Sequence, residues 1–287
     1  MAPTPLEPTE FTVTRDGIGL DGEEVGEGPA IVALHGLTAN RRYLVHGSRV
    51  LPRKGFRLIA YDARGHGASS PAPGGGGYGY PELARDLGSV IDDRAGHRPV
   101  ILAGHSMGAH TLAAYALEAP GDRLAAIVVV GPAVTGGPAT AESLAYWDRL
   151  ADGLERGGVD GFVDAYDDGL DPGWREWLRE ITRIRLATHQ HPEAVVRALR
   201  EVPRSQPFDR LADLERLDIP ALVVASHDTA DPGHPYAVAE AWAERLPQAT
   251  LISEQEGESP LAWQGGKLSR EIASFAQSPA VAQRFGA

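Results

Sequence analysis

The chain of 287 residues contains no cysteine, which removes disulfides, thiolate nucleophiles and Cys-ligated metals from consideration. It also has no long apolar run. None approaches the roughly 18–20 residues that span a bilayer, so no membrane-spanning helix is expected. The first ten residues are rich in Pro and Glu, with no basic stretch leading into an apolar one. No secretory signal is therefore expected, and a cytoplasmic location is. Positive charge is also scarce: 39 Asp and Glu face 27 Lys and Arg, for a formal net charge of -12. Nucleic acid and anionic membranes both require a basic footprint, so neither is expected as the main partner. A small molecule is the expected partner, and nothing in the sequence indicates an oligomeric state.

What is present is a regular alternation. Short apolar runs at 30–34, 56–61, 100–103, 127–130, 221–225 and 250–252 are separated by helical patterns near 41–52, 81–93 and 110–117. Continuous apolar runs of this length suit parallel strands buried on both faces, with helices as crossovers. The predicted fold class is α/β: an open, mostly parallel sheet flanked by helices. An antiparallel lead-in is expected at 11–15 and 18–24, joined by the turn pair Asp16-Gly17. One region breaks the pattern. Residues 139–208 hold helical segments and no strand-like run, together with Tyr146, Trp147, Trp174 and Trp177. They read as a helical cap, inserted into a core formed by residues 1–138 and 209–287. The four aromatics either pack the cap down or line a pocket beneath it.

The chemistry-bearing motif is Gly104-His105-Ser106-Met107-Gly108, a G-x-S-x-G that follows a strand and opens a helix. Glycines at both ends permit a sharp turn that lifts the serine hydroxyl above the sheet edge. The Met107 N–H then lies at a helix N-terminus, where it faces a developing oxyanion. His35-Gly36-Leu37 follows the first buried strand, and the Leu37 N–H is the expected second donor. His35 reads as an organiser of that loop. Asp62-Ala63-Arg64-Gly65-His66 reads as a tight loop with Asp62 paired to Arg64.

Taken in order and spacing, His35-Gly36, the loop 62–69 and Gly104–Gly108 resemble the α/β-hydrolase superfamily, in its compact branch of esterases and haloperoxidase-like enzymes with a helical cap. The likeness extends over nearly the whole chain. It implies a Ser–His–Asp triad in the chain order serine, acid, histidine, with no metal and no organic cofactor. The acid is expected after the strand 221–225. There the family's Asp-x-x-x-Pro fits Asp231 to Pro235, and Asp228 is the less favoured alternative.

The histidine is expected after the last strand, and it is missing. That loop reads Glu256-Gly257-Glu258-Ser259-Pro260, with Glu258 in the histidine's slot, and no histidine follows His234 anywhere in the chain. A serine hydroxyl is a poor nucleophile without a base at its proton, and a carboxylate near its ordinary pKa of ~4.3 is a weak one. Burial beside Asp231 would raise one of the two carboxyl pKa values. Glu258 is then either a base of raised pKa or a protonated acid in non-hydrolytic chemistry. His234, three residues beyond Asp231, is the best substitute histidine, although acid and base would share one short loop. His105 is expected to point away from the serine side chain. The readings left open are a hydrolase of small esters, lactones or related acyl compounds working through Ser106, a lyase, isomerase or cyclase on the same scaffold, and a ligand-binding relative. An engineered His→Glu change would belong with the first.

Overall fold

The computed structural model describes residues 6–166, 172–227, 231, 233–255, 263 and 265–286. Eight strands form one sheet in the order β1-β2-β4-β3-β5-β6-β7-β8. They are β1 (Thr9–Arg15), β2 (Ile18–Val25), β3 (Ala30–Leu34), β4 (Arg57–Tyr61), β5 (Val100–His105), β6 (Leu124–Val130), β7 (Pro220–Val224) and β8 (Gln248–Ile252). From β4 to β8 neighbouring strands are parallel, whereas β1 and β2 join as an antiparallel ribbon.

Strand periodicity divides the core into two layers. Ala30, Val32 and Leu34 of β3, with Val100 and Leu102 of β5, face one apolar cluster. Ile31 and Ala33, with Ile101 and Ala103, face another. Successive side chains point to opposite faces, so a strand covered on both sides must be apolar throughout, as these are. Helices α2 (Tyr80–Ala95) and α3 (Met107–Glu118) cover the first face; α1 (Val50–Arg53) and α8 (Gly266–Ala276) cover the second. Helix α7 (Tyr236–Arg245) links β7 to β8.

Between β6 and β7 lies the helical insertion: α4 (Ala141–Tyr166), α5 (Arg175–Leu186) and α6 (Pro192–Glu201). It has a core of its own, in which Leu150, Leu154 and Phe162 of α4 meet Leu186, Val195 and Leu199. Leu37 bridges the two bodies, packing against both the sheet's cluster and the insertion's. Among the described residues no helix is long and apolar enough to cross a membrane.

Two expectations are corrected. The helix expected over 41–52 shrinks to the four residues of α1. His46 (φ 46°) and Gly47 (φ 70°) are left-handed and interrupt it, while Arg41 and Arg42 are held by Asp62 and Glu23. Arg64 does not pair with Asp62. It makes a two-pronged ion pair with buried Asp86 of α2, at 2.6 and 2.7 Å. Asp62 instead accepts the Arg41 N–H at 2.7 Å and the Ala68 N–H at 3.1 Å.

Candidate active site

Ser106 stands at the junction of β5 and α3 with φ 53° and ψ −116°, a conformation that an L-residue adopts only when the surroundings impose it. The flanking glycines explain how. A Cβ at Gly104 would sit 2.4 Å from the Gly108 carbonyl, and one at Gly108 would sit 2.5 Å from Leu34 O. Strand, turn and helix therefore approach more closely than any side chain permits. The same holds for the neighbouring loop, where a Cβ at Gly36 would lie 2.9 Å from His105 Nδ1 and 3.4 Å from Ser106 Cβ. That glycine lets the loop carrying Leu37 come up against the serine turn. Among the described residues neither the Leu37 nor the Met107 amide donates to a backbone carbonyl. His35 is buried, with Nδ1–H donating to Gly36 O at 2.8 Å and Nε2 accepting the Ala63 N–H at 2.9 Å. Both ring nitrogens are spent on holding loops.

Asp231 and His234 follow β7. His234 Nδ1 is 2.8 Å from each Asp231 carboxylate oxygen, so the one short loop that counted against His234 brings acid and imidazole together. The His234 ring centroid is 4.9 Å from that of His105, the residue before Ser106. Gly131, after β6, lets them meet: a Cβ there would be 3.4 Å from the His234 ring and 3.5 Å from His105 Nε2. Burial opposes ionisation of Asp231. The charge and hydrogen bond of His234 nonetheless outweigh it, with His105 and Arg185 adding to the pull, and bring its pKa down to about 2. Its side chain keeps 47% of its surface open to solvent, which screens part of both effects. For His105, burial first and then His234 lower the pKa to about 3, so its ring is neutral in ordinary buffers. A cavity of about 120 Å³ opens beside these groups, lined by Tyr43, His105, Gly131, Asp231, His234 and Trp263 among others.

Donor atoms of His105, Asp231 and His234 lie within 4.8 Å of one another, a set of the type that binds divalent cations. Within that set His234 Nδ1 already hydrogen-bonds Asp231.

Glu258 and Asp228 lie outside the described residues. Of the four insertion aromatics, Tyr146 and Trp147 pack on the insertion's core. Tyr146 is also near enough to Asp231 to feel its charge, although burial is the main reason its hydroxyl is hard to ionise. Trp174 is 37% exposed and makes an edge contact with Trp177 at 6.3 Å.

A family model described as alpha/beta hydrolase fold matches residues 29–166. The AB hydrolase superfamily protein YisY of Bacillus subtilis is 33% identical over 131 residues, 45% of this chain and 48% of that protein. Several of the curated relatives are matched over less than half of their length in this way. A putative carbamate hydrolase, RutD, of Variovorax paradoxus is 30% identical over 232 residues, covering 78% of this chain and 82% of that protein. This chain belongs to the α/β-hydrolase family. In fold, this α/β-hydrolase superposes on a thermophilic esterase from Thermogutta terrifontis with a TM-score of 0.73 at 22% identity, over 97% of this chain and 99% of that one.

Two residues near the candidate site carry no signal in the sequence. Glu254, just after β8, is buried. It accepts the Ser226 hydroxyl and the His227 N–H, both at 2.6 Å, and the Trp263 indole N–H at 2.9 Å. It thereby ties the loop after β7 to the segment that leads into α8. Nothing local marks such a carboxylate, since its partners are 9 to 28 residues away. The other is Arg185, on the last turn of α5, whose surroundings are taken up below.

Proposed function

We propose that this chain is a serine hydrolase of small esters or related acyl compounds, in which Ser106 is the nucleophile and His234, held by Asp231, is the base. The observation that carries the reading is the Asp231–His234 hydrogen bond at 2.8 Å, beside the strained turn that presents Ser106. With Nδ1–H given to Asp231, His234 Nε2 keeps its lone pair, which is the tautomer a general base requires. In the proposed reaction His234 takes the Ser106 Oγ proton as Oγ bonds to the carbonyl carbon. The Leu37 and Met107 amides stabilise the oxyanion. The proton then passes to the leaving alcohol, and water releases the acyl group by the same route. The helical insertion acts as the cap over this site. The family's esterase and hydrolase relatives support the reaction class, and the fold by itself would not.

The test is labelling by a fluorophosphonate together with p-nitrophenyl acetate turnover, in the parent and in Ser106→Ala, His234→Gln and Glu258→Gln. Labelling at Ser106 is expected, with turnover abolished in Ser106→Ala and lowered about 10²–10⁴-fold in His234→Gln. Turnover that survives Ser106→Ala ends the nucleophile assignment. If Glu258→Gln abolishes turnover while His234→Gln leaves it intact, the base is Glu258. An unlabelled parent points to the ligand-binding or non-hydrolytic reading, and loss of turnover in EDTA to a cation on His105, Asp231 and His234.

A further inference from the structure

Among the described residues, one cation of the insertion near this cleft makes no ion pair. Several other arginines of the insertion are paired: Arg183 with Asp160 at 2.9 Å, Arg200 with Asp152 and Glu155 at 2.9 and 2.7 Å, Arg204 with Asp148 at 2.8 Å. Arg185 differs. Among the described residues its guanidinium makes no ion pair, and its Nε is buried without a hydrogen-bond partner. Its Cζ lies 5.7 Å over the Tyr43 ring. Tyr43 in turn lines the cavity beside His105, Asp231 and His234, with its ring 5.8 Å from that of His105. Arg185 thus stands one aromatic ring away from the turn that carries Ser106. Its charge is among those acting on Asp231, Tyr146 and Tyr166.

A buried donor left unmatched is costly, and more so when it is charged. An arginine that no described acidic residue pairs with offers its N–H groups to a ligand. The Tyr43 ring lies to one side of the guanidinium, whose N–H groups form a planar fork. That fork matches a carboxylate bidentately.

We infer that Arg185 is the specificity residue of the site and holds a free carboxylate, so that the acyl compound turned over at Ser106 is a small anionic one. This rests on the hydrolase reading for the reaction but not for the binding, and the experiment separates the two. The acid and its neutral counterpart are compared as p-nitrophenyl hydrogen glutarate and p-nitrophenyl methyl glutarate. The parent is expected to favour the acid in kcat/KM, and Arg185→Met to lower the acid-to-methyl-ester ratio about 10–100-fold, the value of a hydrogen-bonded charge. An unchanged ratio overturns the inference and leaves Arg185 as a packing residue on Tyr43. If Arg185→Met melts early, Arg185→Lys carries the test, since it keeps the charge and most of the stem but loses the fork; the ratio should then fall by a smaller factor, and an unchanged ratio again overturns the inference. In parallel, glutarate binding to Ser106→Ala is measured by calorimetry with Arg185 intact and with Arg185→Met. Binding that depends on Arg185 in a protein that hydrolyses neither ester upholds the carboxylate site while the hydrolase reading fails. Hydrolysis of both esters with no glutarate binding and no preference for the acid does the reverse.

Discussion

Ser106 holds a backbone conformation that costs of order 1–3 kcal/mol, and three glycines whose replacement would clash pin it there. Strain of that kind is retained when it aims a side chain, which makes the residues around it the place to look for proton chemistry. Asp231 is the sharpest case. Its pKa of about 2 keeps it ionised at every pH above about 4, so it can orient His234 without itself titrating in an assay. Asp231→Asn replaces that acceptor with an amide able to stabilise the wrong tautomer. It is expected to lower kcat about 10²–10⁴-fold, evenly from pH 5 to 9. An unchanged rate would remove Asp231 from the site. The serine turn was legible in the sequence because its cause is local: two glycines, one strand, one helix. His234 was discounted because two functional groups three residues apart look crowded on paper. The turn at Gly233, closed by the His234 N–H to Asp231 O bond at 3.2 Å, is what folds the imidazole back onto the carboxylate. Glu254 and Arg185 act through partners distant in the chain, and no spacing rule reaches them.

At the level of elements, what was read well and what was not divides along the same line. Strands β3, β5 and β6 were legible because a segment buried on both faces must be apolar along its whole length. The segment 41–52 misled because its Arg-rich, helix-favouring composition is used for ion pairs across the structure and not for a helix. The link between insertion and core is a further case invisible to pattern. His189, just beyond α5, accepts the Gly67 N–H at 2.8 Å on Nδ1 and donates from Nε2 to Thr38 O at 2.9 Å. Gln190 N–H adds a bond to Gly67 O at 2.9 Å. Thr38 follows Leu37, has a left-handed φ of 71°, and so belongs to the loop expected to supply an oxyanion donor. One imidazole from the insertion therefore fixes the loops after β3 and β4 together. His189→Ala leaves a buried amide and a buried carbonyl without partners, about 1–3 kcal/mol each. Its melting temperature should fall by several degrees and its kcat by more than its KM rises, because the loop's position matters most in the transition state. A variant that melts earlier with unchanged kcat would limit His189 to holding the fold.

Across the whole molecule, the same histidines make stability depend on pH. Burial lowers the pKa of His35, His46, His66, His105, His110 and His189, the last three to about 3, 3 and 4. The hydrogen bonds give the reason in atoms: His35, His110 and His189 each accept a backbone N–H on a ring nitrogen. Protonating that nitrogen would set two donors against each other. In the unfolded chain these rings take up protons near pH 6.5, whereas the folded chain resists until much lower pH. Between those limits the unfolded state binds more protons, so stability is greatest above about pH 7 and falls as the pH drops. Each ring contributes up to roughly 1.4 kcal/mol per pH unit in that window. His105, His110 and His189 together would lose roughly 4 kcal/mol per unit, a large part of a typical margin of about 5–15 kcal/mol. Asp231, whose folded pKa is lowered, adds a smaller loss below about pH 4 by the same rule. Acidification also relieves the repulsion among charges that sum to -12, but most of those are exposed and screened beyond about 8 Å at 0.15 M salt. The histidines should therefore dominate. Calorimetric melting at pH 8, 7, 6 and 5 is expected to give nearly equal temperatures at the first two and a steep fall at the last two. Removing one ring, as in His189→Ala, should flatten that fall by up to one proton's worth of slope. A melting temperature constant from pH 7 to 5 would mean that the buried rings are protonated in place, and that the hydrogen bonds which tie the insertion to the sheet are rearranged by the charge they then carry.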